Sequence, residues 1–356
     1  MSDEHLGSRL AALLRTLKPK TKEPVSAKVL NNWIAQAEGT LGDEARGGRL
    51  GWLVASSVAI AAVQRAIDAE GRSLFLLKGG TLLQHRLPAT ARTTKDVDGL
   101  IRGDLDQFIL ALDEALDEPW GPLTLRRGEV EVVNVPTKII KPRRFDILLE
   151  MRGVTWRRIQ FEVSPDEAGA GEEHVTIEPP PLAGFGLPDP DALVGIAMRF
   201  QIAQKLHAVS DPHEPPDSIN DRARDVVDLL LLRDLAASTG SPTLAEIRQA
   251  AKAVFAARID EADRLGLATR AWPPTLLAHA HWADDFARAA TSGGVGLSLD
   301  EAVAEVNAWI QEIELVGLID DEAKAAEEAE ATSDPNEPLP PHVKVTRGRS
   351  PRADRD

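Results

Sequence analysis

The sequence predicts an α+β fold, a mixed sheet core with helices before and after it. Three observations carry this. Apolar residues recur at helical spacing over 27–38 and 50–69, charged and apolar residues alternate between 123 and 163, and helical spacing returns from Asp189 onward. At 356 residues the chain is long for one compact unit, and a hydrophobic content of 43% is ample for a core. The expected divisions are an N-terminal helical region over 1–70, a sheet core over 71–185, a helical C-terminal domain over 186–320 and a disordered tail over 321–356.

The first helices, 27–38 and 50–69, are alanine-rich, which suits close packing, and nothing in them is chemical. A short apolar run over 72–77 leads into Gly79, and the helix after Thr81 ends at Pro88. A strand over 96–101 precedes a helix over 104–116 that starts at Asp104 and carries Phe108, Ile109, Leu112 and Leu116 on one side. Strands follow over 123–126, 129–135, 144–151 and 156–163, with Arg152-Gly153-Val154 suited to a hairpin link. The Pro-, Gly- and acid-rich stretch over 164–188 reads as a connection between domains. Asp189 as N-cap with Pro190 at the first position starts a helix running to Val209, a loop spans 211–216, and a second helix covers 218–238. Beyond 318 the Ala/Glu run and the Pro-, Asp- and Arg-rich tail have too little apolar surface to pack.

With no cysteine, the chain excludes disulfides, thiolate zinc sites and cysteine nucleophiles, in keeping with a reducing compartment. No apolar run reaches the roughly 18 residues of a membrane helix, so a soluble cytoplasmic protein with no membrane partner is expected. A net charge of −15 argues against indiscriminate polyanion binding. Charge is uneven, however. Between Arg126 and Arg158 nine Lys/Arg stand against four Asp/Glu, a local excess of five. This island is either a set of solvated strand faces or a phosphate-backbone surface built from Arg126, Arg127, Lys141, Arg143, Arg144, Arg157 and Arg158.

The chemistry concentrates in two places. In the first, Lys78-Gly79-Gly80-Thr81 opens a helix and, with fourteen residues between Thr81 and Asp96, is followed by Asp96-Val97-Asp98. Glycines let backbone N–H groups approach a phosphate, and a helix start adds partial positive charge. On a strand, Asp96 and Asp98 point to one face, as a metal pair must; they are otherwise ordinary strand acids. Lys78 precedes the glycines, which argues against a Walker-type loop. A third acid on a neighbouring strand is offered by Glu162, with Asp146 the alternative.

In the second place, Lys205 interrupts an apolar helical stripe of Met198, Ile202 and Val209, so it either snorkels or aims into a site. On the next helix Asp225 and Asp228 head inward stripes and call for a cation from Lys205, Arg222 or Arg224. These acids either serve the site or form a buried ion-pair cluster between two helices. The eight histidines form no ligand set.

Taken together, Lys78-Gly79-Gly80-Thr81, Arg92-Thr93-Thr94-Lys95-Asp96-Val97-Asp98, Gln204-Lys205-Leu206-His207-Ala208 and Arg222-Ala223-Arg224-Asp225-Val226-Val227-Asp228-Leu229 resemble the AbiEii/AbiGii toxin family of nucleotidyltransferases, which includes the MenT-type toxins. The resemblance spans about 72–235. It implies a polymerase-β-like nucleotidyltransferase core with a helical C-terminal half. It also implies a toxin of a toxin–antitoxin or phage-defence system, restrained by a separately encoded antitoxin and transferring NMP from an NTP to RNA, the tRNA 3′ end. By this resemblance Asp96, Asp98, Lys205 and Asp225 are catalytic, and Lys78, Gly79, Gly80, Thr81 and Lys205 bind nucleotide, with the Thr81 hydroxyl on phosphate. Asp96 and Asp98 hold Mg2+ (or Mn2+), and Glu162 is the third acid. Arg224 stands where the family's pair has lysine, and Glu162 where aspartate is common. Two other readings compete: transfer to a protein or small molecule, and a non-catalytic nucleotide-binding module.

Overall fold

The alternating centre of the chain becomes an eight-stranded mixed sheet in the computed structural model, which describes residues 13–42, 48–87, 96–216 and 218–332. Helices α1 (Ala27–Leu41) and α2 (Arg49–Val63) precede it. The sheet comprises β1 (Phe75–Lys78), β2 (Asp96–Ile101), β3 (Thr124–Arg127), β4 (Glu131–Val132), β5 (Arg143–Met151), β6 (Val154–Pro165), β7 (Val175–Ile177) and β8 (Leu193–Gly195). Helix α3 (Gly79–Arg86) follows β1, and α4 (Leu105–Leu116) follows β2. Along the main path the strand order is β3-β5-β6-β2-β1-β8-β7, with β4 paired to β5. The expected mixed sheet with flanking helices is the observed one.

Period-two alternation gives the sheet two unlike faces. One face carries Phe75, Val97, Phe145, Ile147, Ile159, Phe161 and Val163, all buried, under α2 and α4. Four of the eight phenylalanines close a ring there. Phe75, Phe161, Phe145 and Phe108 of α4 lie 5.7–6.4 Å centroid to centroid around the circuit. Gly99 on β2 leaves the space that the Phe75 ring fills. Helix α4 begins where Asp104 predicts, its carboxylate accepting from the N–H groups of Asp106 and Gln107. The Arg152-Gly153 link has φ of 53° and 77°, the paired positive values of a tight hairpin turn.

The helical half consists of α5 (Met198–Val209), α6 (Ala223–Thr239), α7 (Leu244–Leu265), α8 (Ala283–Gly293) and α9 (Leu299–Thr332). Its own core of Ile202, Leu206, Val226, Leu229, Trp282, Trp309 and Ile310 also takes in Leu83 of α3. The 164–188 stretch and the start of the following helix differ from the sequence reading. Strands β7 and β8 form there, antiparallel to each other, with β8 parallel to β1. Asp189 caps backwards, accepting from the N–H groups of Leu182 and Ala183, so it closes the turn behind it and the helix starts nine residues later at Met198. The second helix starts at Ala223 rather than 218. Helix α9 continues past 320 to Thr332, consistent with the high intrinsic helix propensity of alanine and glutamate. Residues 1–12, Pro88, the Arg92-Thr93-Thr94-Lys95 part of the motif and 333–356 lie outside the described residues.

Phe161→Ala, at the junction of the phenylalanine ring, is expected to lower the unfolding free energy by about 3–5 kcal/mol in urea. Leu110→Ala, 68% exposed on α4, is expected to stay within about 0.5 kcal/mol. Equal effects would remove the ring from the centre of the fold.

Candidate active site

The opposite face of the sheet carries charge, in register. Lys78 on β1 pairs with Asp98 on β2, Asp98 with Glu162 on β6, and Glu162 with Arg144 on β5. Four ionisable side chains thus stand in one row across four strands. Asp96, two residues before Asp98, is exposed on the same face and aligns with Gln160. Glu162 accepts a hydrogen bond from Arg144 at 2.7 Å, and Lys78 Nζ donates to Ser164 Oγ at 2.6 Å. Burial pushes the Asp98 carboxyl up, and nearby Glu162 and Asp96 push it further while Lys78 and Lys205 restrain it. Burial likewise pushes Lys78 down, with Asp98 and Glu167 restraining the shift.

The turn from β1 into α3 is shaped around Asp98. Gly79 has φ of +65°, and a Cβ there would occupy the place of the Asp98 carboxylate. Its missing side chain therefore makes room for an acid. No side-chain hydrogen bond caps α3 from its N-cap position, and its first turn contains no acid. Thr81 corrects the sequence expectation of a hydroxyl on phosphate. It is fully buried, and its hydroxyl donates to the Asp96 carbonyl at 2.7 Å, tying α3 to the strand that bears both aspartates.

The helical half meets this turn through α5. Gln201 Nε2 donates to the Gly79 carbonyl at 3.0 Å. One turn on, Lys205 Nζ contacts Asp225 Oδ1 at 2.6 Å and Asp228 Oδ2 at 2.7 Å. All three are buried, Asp228 completely. This is the ion-pair cluster between two helices that the spacing offered, and its Lys205 is among the charges that restrain the Asp98 carboxyl. Arg222, 56% exposed, reaches Asp225 only at 3.9 Å. Burial, followed by Arg270, pushes His207 down to about 3, so its imidazole stays neutral at physiological pH.

A cavity of about 490 Å³ lies between the charged row and α7. Lys78, Asp98, Glu162 and Ser164 line one side, and Arg258 and Arg264 the other. Ser164 and Gln201 were missed in the sequence. Their signal was positional: Ser164 stands two residues after Glu162 on the same strand face, and Gln201 four before Lys205 on the same helix face.

The basic island does not survive as one surface. Alternation sends Arg127, Arg143 and Arg157 to the helix-covered side. Arg127 grips Asp113 at 2.7 Å, Arg143 stands 3.8 Å from Asp106, and Arg157 stacks 5.5 Å from the Trp156 ring. Asp106 and Asp113 come from α4, outside the window in which the charge excess is counted. Arg126, Arg144 and Arg158 share the aspartates' face, paired to Glu150 at 2.9 Å, Glu162 at 2.7 Å and Asp146 at 3.4 Å. Lys141 turns inward to the carbonyls of Val135 and Lys138.

The family model for the nucleotidyl transferase AbiEii toxin of type IV toxin–antitoxin systems matches residues 61–311. Among solved structures, JHP933 from Helicobacter pylori is similar at 13% identity, covering 77% of this chain and 96% of that one, with a TM-score of 0.41. MenT4, a nucleotidyltransferase toxin from Mycobacterium tuberculosis, is similar at 15% identity over 82% of this chain and 99% of that one, with a TM-score of 0.39. No curated protein matches.

Lys205→Met strands the buried Asp228 carboxylate and is expected to lower the unfolding free energy by about 3–5 kcal/mol. Arg222→Ala, whose contact is long and solvated, is expected to cost less than about 1 kcal/mol. Urea titration of both variants checks the contrast, and a Lys205→Met protein as stable as the wild type would refute the buried cluster.

Proposed function

The chain belongs to the AbiEii family of nucleotidyl transferase toxins of type IV toxin–antitoxin systems, and from that premise we propose that it transfers NMP from an NTP to an RNA acceptor, the 3′ end of tRNA. It is a nucleotidyltransferase, and its family implies a separate antitoxin. The observation that carries the reading is the row Lys78, Asp98 and Glu162 along one cavity, with Asp98 packed against the glycine turn that Gln201 of α5 grips. No helix among the described residues is long and apolar enough to cross a membrane.

A divalent cation, Mg2+ or Mn2+, fits the donor chemistry. Asp96 and Asp98 offer hard oxygens from one strand face, and the Asp98 carboxyl, pushed up first by burial, is a group whose charged form a cation would stabilise. Among the described residues no three His, Asp or Glu side chains converge as a preformed metal cluster. Glu162 is held by Arg144, so two aspartates are the protein's contribution and NTP oxygens complete the set. Bound there, the cation supplies positive charge to the phosphates.

The chain's own residues then position and neutralise. Backbone N–H groups of Gly80 and Thr81 at the start of α3 meet the triphosphate, and Lys78 supports it from β1. Asp225 and Asp228 fix Lys205 so that its charge is held against the Asp98 side of the cleft. The acceptor hydroxyl oxygen bonds to the α-phosphorus, the bond between the α-phosphorus and the bridging oxygen breaks, and pyrophosphate leaves with that electron pair. The acceptor's proton passes to solvent. Because Arg126, Arg144 and Arg158 are already paired with acids, transfer to a protein or small molecule is the second reading.

Incubation with each labelled NTP, Mg2+ and RNA, protein or small-molecule fractions is expected to label RNA, and Asp98→Asn to reduce transfer by about a hundred- to a thousandfold. Label in no fraction would refute the enzymatic reading, and label in protein alone would refute the RNA acceptor. Asp98 must lose its proton to hold a cation, and its pKa is raised. Activity is therefore expected to climb with pH through a range above that of ordinary carboxylates. Wild-type expression is expected to arrest growth where Asp98→Asn does not.

A further inference from the structure

The cleft has a second wall that the proposed chemistry leaves unused. Between β4 and β5 the chain crosses from Val133 to Pro142, and Val135, Ile139, Ile140 and Pro142 of this connection line the same cavity as Lys78 and Asp98. Ile139 is 43% and Ile140 54% exposed, two large aliphatic side chains side by side in a cavity otherwise lined mainly by charge.

The connection is braced rather than loose. Lys141 Nζ donates back to the carbonyls of Val135 at 2.7 Å and Lys138 at 2.6 Å. Lys138 Nζ reaches across to Glu261 of α7 at 3.0 Å and to Glu167 at 3.4 Å. The N–H of Ile139 donates to the other Glu261 oxygen at 2.8 Å. Arg258 of α7 binds Glu167 and stands 3.6 Å from Glu261. Burial pushes the Glu167 carboxyl up while Lys138 and Lys78 hold it back, so the brace and the charged row share one electrostatic neighbourhood. Glu261 thus holds both a side chain and the backbone of the connection, and sets where Ile139 and Ile140 stand.

Resting on the transfer reading above, we propose that the 133–142 connection is the wall against which the base of the incoming NTP lies, and that its position sets base preference. A nucleotide has one strongly charged end and one flat, weakly polar end, and this cavity offers a surface for each. Lys78 and Asp98 belong to the charged row, and Val135, Ile139 and Ile140 form an aliphatic patch on the connection. A volume of about 490 Å³ is of the size that encloses one small ligand. Among the described residues no aromatic side chain lines it, so the aliphatic pair supplies the surface for the face of the base. Preference among bases then depends on how far the braced wall stands from α7, because a rigid boundary discriminates by size and a movable one does not.

The test uses the full chain with all four NTPs and the acceptor fraction identified above, comparing wild type, Ile140→Ala and Glu261→Gln. Ile140→Ala, at an exposed position, is expected to raise the KM for NTP about tenfold while kcat and the acceptor KM stay within about twofold. Glu261→Gln is expected to shrink the ratio of kcat/KM between the best and worst NTP by about tenfold. An unchanged NTP KM in Ile140→Ala, an unchanged ratio in Glu261→Gln, or a rise in acceptor KM instead would overturn the proposal. Equilibrium binding of the four α,β-methylene NTPs reads the wall without turnover. Affinity indifferent to Ile140 overturns the wall even if the wild type transfers nucleotide. Affinity that depends on Ile140 in a wild type that transfers none supports the wall and overturns the transfer reading alone.

Discussion

One strand register underlies the chemistry of this chain. Parallel pairing of β2 with β6 sets Asp98 beside Glu162, and antiparallel pairing of β1 with β2 sets Lys78 on the other side of Asp98. A shift of one residue in β2 would turn Asp96 and Asp98 toward the phenylalanine ring and Val97 toward the cleft. The ring is what forbids that shift. Phe75, Phe145 and Phe161 come from three strands, close on Phe108, and leave Gly99 as the position over which Phe75 fits. Apolar packing on one face therefore holds the charge pattern on the other.

The helical half is joined to this sheet by polar links at two levels. Gln201 grips the turn at Gly79, and Lys138 and Ile139 of the β4–β5 connection grip Glu261 on α7. Between them the Lys205 cluster joins α5 to α6. A buried cation with two carboxylates is not a strong source of net stability, since desolvation offsets much of the attraction. Its effect is to define geometry. Removing Lys205 takes away the cation that both buried carboxylates contact, so the arrangement tolerates little variation in where α6 docks.

Much of this was legible in the sequence because it depends on local rules. Asp104 capped the helix it preceded, Arg152-Gly153 turned the hairpin, and the Asp96-x-Asp98 spacing lay on one strand face as alternation requires. What escaped depends on partners remote in sequence. Strands β7 and β8 have three residues each, too few for a period to show, and exist because β1 supplies an edge. Asp189 and Pro190 form a helix-start signal, but the carboxylate found nearer donors behind it. The basic island was counted along the chain, whereas alternation divided it between two faces and α4 brought Asp106 and Asp113 to meet it. Thr81 kept its place in the motif, but its hydroxyl was drawn to the Asp96 carbonyl instead of the cleft.

Gly79 places the acid and the turn in a relation of mutual exclusion. The volume a side chain would fill is the volume the Asp98 carboxylate occupies, and the left-handed backbone there is one that side chains disfavour. A single methyl group at this position would displace the central charge of the row while leaving every ionisable residue of the protein in the sequence. The site thus has a purely steric weak point. Inactivity in a variant of this chain need not show as the loss of an acid or a base, and an inventory of its charged residues alone would pass such a variant as intact.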